Sequence, residues 1–338
     1  MGKKICICGG GSLGHVCAGV LASNKDISVN VFTRKPELWK QTLEIIDCNG
    51  KIFSGTLNKI SNNPEEVLKD CDIIFLCIPG FAIEEELKKI KPYISANTMV
   101  GTIVSSTGFF FFAHNILPTE TKLFGFQRTP FIARVKDYGC SAKLLGYKNQ
   151  VSVATENIKE LEEFKKLIEH LWLTPVKLLN SFYEASLTNS NPILHTGRLY
   201  SMFHNWDGTP FDHNILFYEE WTDNSSEIII QMDKEFFNLL KKLPVEKDSI
   251  KPLLEYYESN DSQSLTKKLQ SIVAFKGLLA PMKKIENGFI PDYNNRYFSE
   301  DFPFGLKFIR DLAYENQIEV PVIDKVYNWG IKVLSECK

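Results

Sequence analysis

Six histidines occur in the chain, and His195 stands in the setting that best suits proton transfer. It lies in TNSNPILHTGRLY (188–200), four residues after Asn191. On an α-helix that step is about one turn, so an amide and an imidazole would share a face and could converge on one small substrate. An imidazole titrates near neutral pH and can both take and give a proton. The spacing fits equally a histidine that is simply hydrogen-bonded in a helical interior. The other histidines, at 15, 114, 170, 204 and 213, have no comparable partner spacing and read as structural.

A second group of candidates lies in RYFSEDFPFGL (296–306). Arg296 offers a planar fork that can hold a substrate carboxylate with two bonds. Asp301, five residues on, could orient an imidazole and stabilise its protonated form. Ser299, Glu300 and Asp301 also precede a helical pattern, PFGLKFIRDLAYEN, and make good capping chemistry. Glu300 reads as a cap; for Asp301 both roles stay open.

A third group is a phosphate-binding loop. Gly9-Gly10-Gly11-Ser12-Leu13-Gly14 satisfies GxGxxG directly after a strand-like ICIC and at the start of a helical pattern. In that position Gly9 makes the tight turn, Gly11 admits the pyrophosphate and Gly14 lets helix and strand approach, with Ser12 and Leu13 opening the helix. The free N–H groups and dipole of the helix N-terminus then face an anion. The next strand, SVNVFT, ends in Thr33-Arg34-Lys35 where an NAD-specific site would carry Asp or Glu. An arginine can pair with a 2′-phosphate, so NADP(H) is favoured and NAD(H) stays open. Pro79 and Ser105-Ser106-Thr107-Gly108 follow two further strand patterns and should border the cofactor, because ligands lie outside the carboxyl ends of parallel strands.

These groups need a scaffold, and the pattern supplies two. KKICICG, SVNVFTR, CDIIFLCIP, TMVGTIVS, LFGFQRTP, AKLLGYK and QVSVAT read as strands, alternating with helical SLGHVCAGVLAS, IEEELKKIKPYI and IKELEEFKKLIEHLWL. FFFFA at 109–113 reads as core or interface. Beyond Asn180 the periodicity is helical with almost no strand alternation. The expectation is an α/β, Rossmann-like dinucleotide-binding domain over 1–180 and an all-α substrate domain over 181–338.

Composition excludes other classes. With 338 residues, 44% of them hydrophobic, two ordinary cores can be built. Thirty-nine basic against 41 acidic side chains leave a net charge of −2, which gives nucleic-acid binding little support. The eight cysteines form no CxxC pair and no Cys/His cluster, so no metal site is expected and reduced thiols in a cytoplasmic protein are. No apolar run approaches a membrane span, and three glycines and a histidine interrupt what could otherwise pass for a signal peptide. Oligomeric state is not readable, and a homodimer stays open.

The combination of GxGxxG at the start, NPILH in a helical second half and RYFSEDFPFGL near the end resembles the octopine/nopaline (opine) dehydrogenases. FGFQRTPFIARVKDYG, with Arg128 and Arg134, also resembles a segment of that family. The resemblance runs nearly the full length. It implies a helical domain like the C-terminal domain of 6-phosphogluconate dehydrogenase. It also implies an oxidoreductase that condenses an amino acid with a 2-oxo acid and reduces the imine with NAD(P)H. By position it assigns His195 as the acid/base, Asp301 as its partner, Asn191 as the preceding asparagine and Arg296 as the carboxylate-binding arginine. Many relatives have Pro after the histidine, where this chain has Thr196. Two alternatives keep the cofactor: a 2-oxo or 2-hydroxy acid reductase of ketopantoate reductase type, which would need a catalytic lysine absent from 185–200, and a non-catalytic NADP-binding regulator.

Overall fold

Short buried runs joined by amphipathic helices build the first half of the chain. The computed structural model describes residues 2–336 and divides into two compact units, Met1–Ser186 and Leu187–Lys338. The division falls six residues beyond the change of texture at Asn180, after a short helix, Phe182–Ser186, that packs within the first unit.

In the first unit the strands are β1 (Lys3–Cys8), β2 (Ile27–Phe32), β3 (Thr42–Asp47), β4 (Ile52–Thr56), β5 (Lys59–Ser61), β6 (Ile73–Leu76), β7 (Met99–Thr102), β8 (Lys122–Phe126), β9 (Phe131–Asp137), β10 (Ser141–Tyr147), β11 (Val151–Glu156) and β12 (Val176–Leu178). Its helices are α1 (Ser12–Ala22), α2 (Pro64–Leu68), α3 (Gly80–Ile90), α4 (Phe109–Ile116), α5 (Leu161–Trp172) and α6 (Phe182–Ser186). Eight strands form the main sheet in the order β12-β11-β8-β7-β6-β1-β2-β5, parallel except for the β11–β8 pair. The four residues of β6 and the last four of β1 are buried, as expected of strands covered on both faces.

A second sheet, β4-β3-β10-β9, carries strands that the sequence reading passed over. In β3 and β4 burial alternates residue by residue, the signature of a sheet with one wet face. Helix α1 lies against this sheet, and a Cβ on Gly19 would meet the Ile45 side chain at 2.4 Å. FFFFA is the start of α4, and Phe109 and Phe110 are fully buried, so that segment is core.

The second unit holds α7 (Thr196–Phe203), α8 (Asp223–Leu240), α9 (Leu253–Tyr256), α10 (Ser262–Ser271), α11 (Arg296–Ser299), α12 (Lys307–Glu315) and α13 (Pro321–Glu336). It is not wholly helical. Met282–Ile285 and Gly288–Pro291 pair as an antiparallel hairpin, β13 and β14. The hairpin turns at Glu286-Asn287-Gly288, where Gly288 adopts a φ of +133° that an L side chain resists. Two segments expected as α-helix, Ser190–His195 and Phe302–Leu306, are π turns. No helix among the described residues is long and apolar enough to cross a membrane.

Candidate active site

The glycine loop has the form its spacing implies. Gly9 has φ +125°, and a Cβ there would strike the Cys77 carbonyl oxygen at 2.5 Å. A Cβ on Gly14 would lie 2.0 Å from the Gly9 carbonyl oxygen, so strand end and helix start touch only because both residues are glycine. At Gly11 an added Cβ meets nothing within 4 Å, which leaves the loop open on that side. Helix α1 starts with Gly11 at its N-cap, no side-chain cap and no acidic residue in the first turn, so its N-terminal N–H groups face an unopposed site for anions. A dinucleotide pyrophosphate fits this cradle in chemistry and in clearance.

The other residues expected at the cofactor have differing positions. Ser12 Oγ accepts the Val135 N–H from β9 at 3.1 Å, and Leu13 is partly buried against the core. Thr33 is buried and donates its N–H to Ser61 O, while Arg34 is exposed with no ion pair among the described residues. Glu85 and Glu86 of α3 are the acids that feel the Arg34 charge, and burial pushes the Glu86 carboxyl up to about 7. Pro79 caps α3 in extended conformation just after β6.

The second constellation is built in the helical unit by two π turns. Asn189, buried, donates through Nδ2 to Asp233 Oδ1 at 2.7 Å and to the Lys251 carbonyl at 2.9 Å, which anchors the chain just before the first turn. Burial pushes the Asp233 carboxyl up to about 6. The Thr196 hydroxyl donates to the Pro192 carbonyl and is itself fully buried, so the residue standing where relatives carry proline ties the turn together by a side-chain bond. The second turn approaches at Gly305, where a Cβ would sit 2.9 Å from Pro192 Cγ. A glycine is therefore what lets the two turns touch.

That approach brings His195 and Asp301 together across 106 positions: Nδ1 lies 2.8 Å from Oδ2, and both side chains are nearly buried. Asp301 is the N-cap residue of the second turn yet makes no side-chain cap bond, so its carboxylate serves the imidazole and not the helix end. An ionised carboxylate only accepts, so Nδ1 carries the hydrogen. In the neutral ring Nε2 then accepts from the Tyr218 hydroxyl at 3.2 Å. The ring is flanked by Tyr297, 4.6 Å away at 30°, and by Phe217, 5.7 Å away at 87°.

Arg296 opens α11 and is exposed, with no carboxylate partner among the described residues. Burial raises the Tyr297 phenol above its usual range, and the adjacent Arg296 charge acts in the opposite direction. Asn191 does not join the group. Asn191 is exposed, and the His195 nitrogens bond Asp301 and Tyr218 instead.

Tyr218 and Arg198 were not legible in the sequence as part of this group. Tyr218 is buried, stacks on Phe275 at 4.0 Å, and has its phenol raised by burial first and then by the neighbouring Tyr297, Tyr257 and Asp301. Arg198, three residues past His195 on α7, donates to the Phe217 and Glu220 carbonyls and to Ser225 Oγ, and so holds the segment bearing Tyr218. Burial lowers its guanidinium to about 10. A cation inside the apolar run ILHTGRLY was the visible signal for Arg198; LFYEEW offered none for Tyr218. Among the described residues no group of three or more potential ligands could hold a metal.

Residues 178–334 match the family described as NAD/NADP octopine/nopaline dehydrogenase, alpha-helical domain, and residues 5–108 match ketopantoate reductase. The chain is 28% identical to the tauropine dehydrogenase of Arabella iricolor over 98% of its own length and 91% of the relative's. Its fold superposes with a TM-score of 0.87 on octopine dehydrogenase solved with NADH and L-arginine, at 24% identity, covering 98% of this chain and 90% of that one. NADP+-bound yersinopine dehydrogenase shares the fold with a TM-score of 0.76 at 13% identity, over 99% of this chain and 91% of that one. Residues 178–334 thus match the octopine/nopaline dehydrogenase helical domain, and the whole chain is similar in sequence and fold to opine-type dehydrogenases.

Proposed function

We propose that the protein joins the amine of an amino acid to the carbonyl carbon of a 2-oxo acid and reduces the resulting imine, acting as an NAD(P)H-dependent opine dehydrogenase. The matched helical domain and the full-length likeness to opine-type dehydrogenases support the reaction class. The observation that carries the reading is the His195–Asp301 bond, which unites two motifs remote in sequence inside the matched helical domain.

The chemistry needs an unprotonated amine, a proton for the departing hydroxyl and a hydride. When bound at the glycine loop, the reduced nicotinamide supplies the hydride. His195 takes the ammonium proton at Nε2 and returns it to the hydroxyl that leaves as water. Asp301 holds the ring in the Nδ1–H tautomer and stabilises the imidazolium formed in between. Before substrate arrives, Nε2 is held by the neutral Tyr218 hydroxyl, a weaker partner than an ammonium, so substrate can replace it. Arg296, unpaired, takes a substrate carboxylate through its fork. For Asn191 an exposed position suits contact with substrate and not with the imidazole.

NADP(H) is the cofactor favoured in this reading, because Arg34 is exposed and unpaired at the end of β2 where an acid would repel a 2′-phosphate. Glu86 nearby tempers the preference once it ionises.

The test is oxidation of NADPH and of NADH by the purified protein with a panel of 2-oxo acids, each with and without amino acids. Turnover that requires both an amine and a 2-oxo acid is expected. Oxidation that proceeds equally without amine would replace this reading with a simple 2-oxo acid reductase.

A further inference from the structure

His15, which the reaction does not use, is the most completely enclosed histidine of the first unit. It lies on α1 one residue past Gly14 and is fully buried. Its Nδ1 lies 2.9 Å from the Gly11 carbonyl oxygen, and its Nε2 lies 2.7 Å from the Gly139 backbone nitrogen. A backbone N–H can only donate, so Nε2 must be the bare nitrogen and Nδ1–H must donate to Gly11. The two bonds together admit one state of the ring: neutral, with the hydrogen on Nδ1.

The two partners matter because of what they belong to. Gly11 is the residue of the loop whose open side faces the anion site. Gly139 lies in the turn between β9 and β10, has φ +70°, and accepts Lys40 N–H at 2.8 Å. That turn also carries Tyr138, whose hydroxyl would sit 2.6 Å from a Cβ on Gly10. The imidazole stacks on Trp39, 4.1 Å away at 28°, and meets Tyr138 edge-on at 5.0 Å. One ring therefore fastens the glycine loop to the β9–β10 turn and to the segment that follows Arg34.

We infer that His15 is a positioning residue for the dinucleotide: in its neutral Nδ1–H form it clamps the phosphate-binding loop to the β9–β10 turn, and protonation of its ring releases that clamp and weakens cofactor binding. The inference rests on the glycine loop being the cofactor site. On protonation Nε2–H would point at Gly139 N–H, two donors head to head, and the bond would be lost. Burial already holds the ring's pKa below the ordinary histidine value, and the Gly11 carbonyl acts in the other direction. The contact groups are Gly11, Gly139, Trp39 and Tyr138, and Tyr138 is the titratable one among them. Glu86, beside Arg34, is the other group near this end of the sheet that titrates close to neutrality.

The sign follows from the lowered value. The neutral form makes both bonds, so affinity is full above the ordinary histidine range and falls as pH drops through the depressed one. The experiment measures binding of NADH and NADPH to the full chain by fluorescence between pH 8 and 4.5, without substrate. Wild-type affinity should be constant near pH 8 and fall severalfold toward the acid end. His15→Phe, which keeps the ring and its stacking but neither bond, should bind about tenfold more weakly at pH 8 and show a flat profile, while Glu86→Gln should keep the wild-type slope. A wild-type profile that is flat, or a His15→Phe protein that binds as tightly as wild type, overturns the clamp. Should His15→Phe fail to fold, the wild-type profile and the ring's nitrogen chemical shifts still decide, and a hydrogen on Nε2 overturns the inference. Absence of binding by wild type at every pH would overturn the dinucleotide reading itself, and the clamp with it.

Discussion

His15 and His195 are both buried and both have their two ring nitrogens engaged, yet their surroundings are chemically opposite. His15 is held by a carbonyl and a backbone N–H, groups that cannot change their proton count. His195 is held by a carboxylate and a phenol, and either of its nitrogens can carry a proton without losing both partners. Protonation of the first breaks a bond; protonation of the second strengthens the bond to Asp301 and turns the Tyr218 hydroxyl from donor to acceptor. Burial alone therefore says little about a histidine's role. What bonds to it decides whether it is a strut or an acid/base.

The contrast can be broken experimentally, beginning where the expected effect is largest. His195→Ala should lower kcat/KM about a thousandfold, within the range for loss of a general acid/base, and leave the NADPH dissociation constant within about twofold. A matching loss of cofactor affinity would make His195 structural and erase the distinction from His15. Asp301→Asn comes next, at about a hundredfold in kcat, because the amide can present its N–H to Nδ1 and favour the wrong tautomer. Rates near wild type would mean that the carboxylate only holds the turn. Arg34→Ala should weaken NADPH about tenfold while NADH changes little, and equal losses for the two would refute a 2′-phosphate contact. Tyr218→Phe removes one neutral hydrogen bond and keeps the stacking on Phe275, so a threefold to tenfold change in kcat/KM is expected, about 1 kcal/mol. A loss as large as that of His195→Ala would assign Tyr218 a direct part in proton transfer.

Legibility in the sequence followed the range of the interactions. The strand-and-helix alternation of the first unit and the glycine loop could be read, because burial on both faces of a parallel sheet imposes continuous apolar runs. Strands β3 and β4 were missed although their alternation is regular, since the charged and small residues on their wet face diluted the signal. The hairpin at 282–291 was hidden in a helical context, although Asn287-Gly288 is a recognised turn signal. At the candidate site the residue types of Asp301, Arg296 and His195 suggested their chemistry, but the capping alternative for Asp301 could not be dismissed from spacing. The Asn191 expectation rested on spacing alone, and spacing could not show that both His195 nitrogens would be taken by Asp301 and Tyr218.

The sequence by itself determined the classes of element, the glycine loop and the short list of residues able to move protons. These rest on local periodicity, on glycine's freedom at φ beyond zero and on side-chain chemistry, all of which act within a few residues. Only the tertiary structure decided which histidine met a carboxylate and which met the backbone. The His195–Asp301 bond spans 106 positions and the His15–Gly139 bond 124. Contacts of that range are made by the packing of whole elements, here the meeting of Pro192 with Gly305 and of α1 with the β9–β10 sheet, and no local pattern carries them.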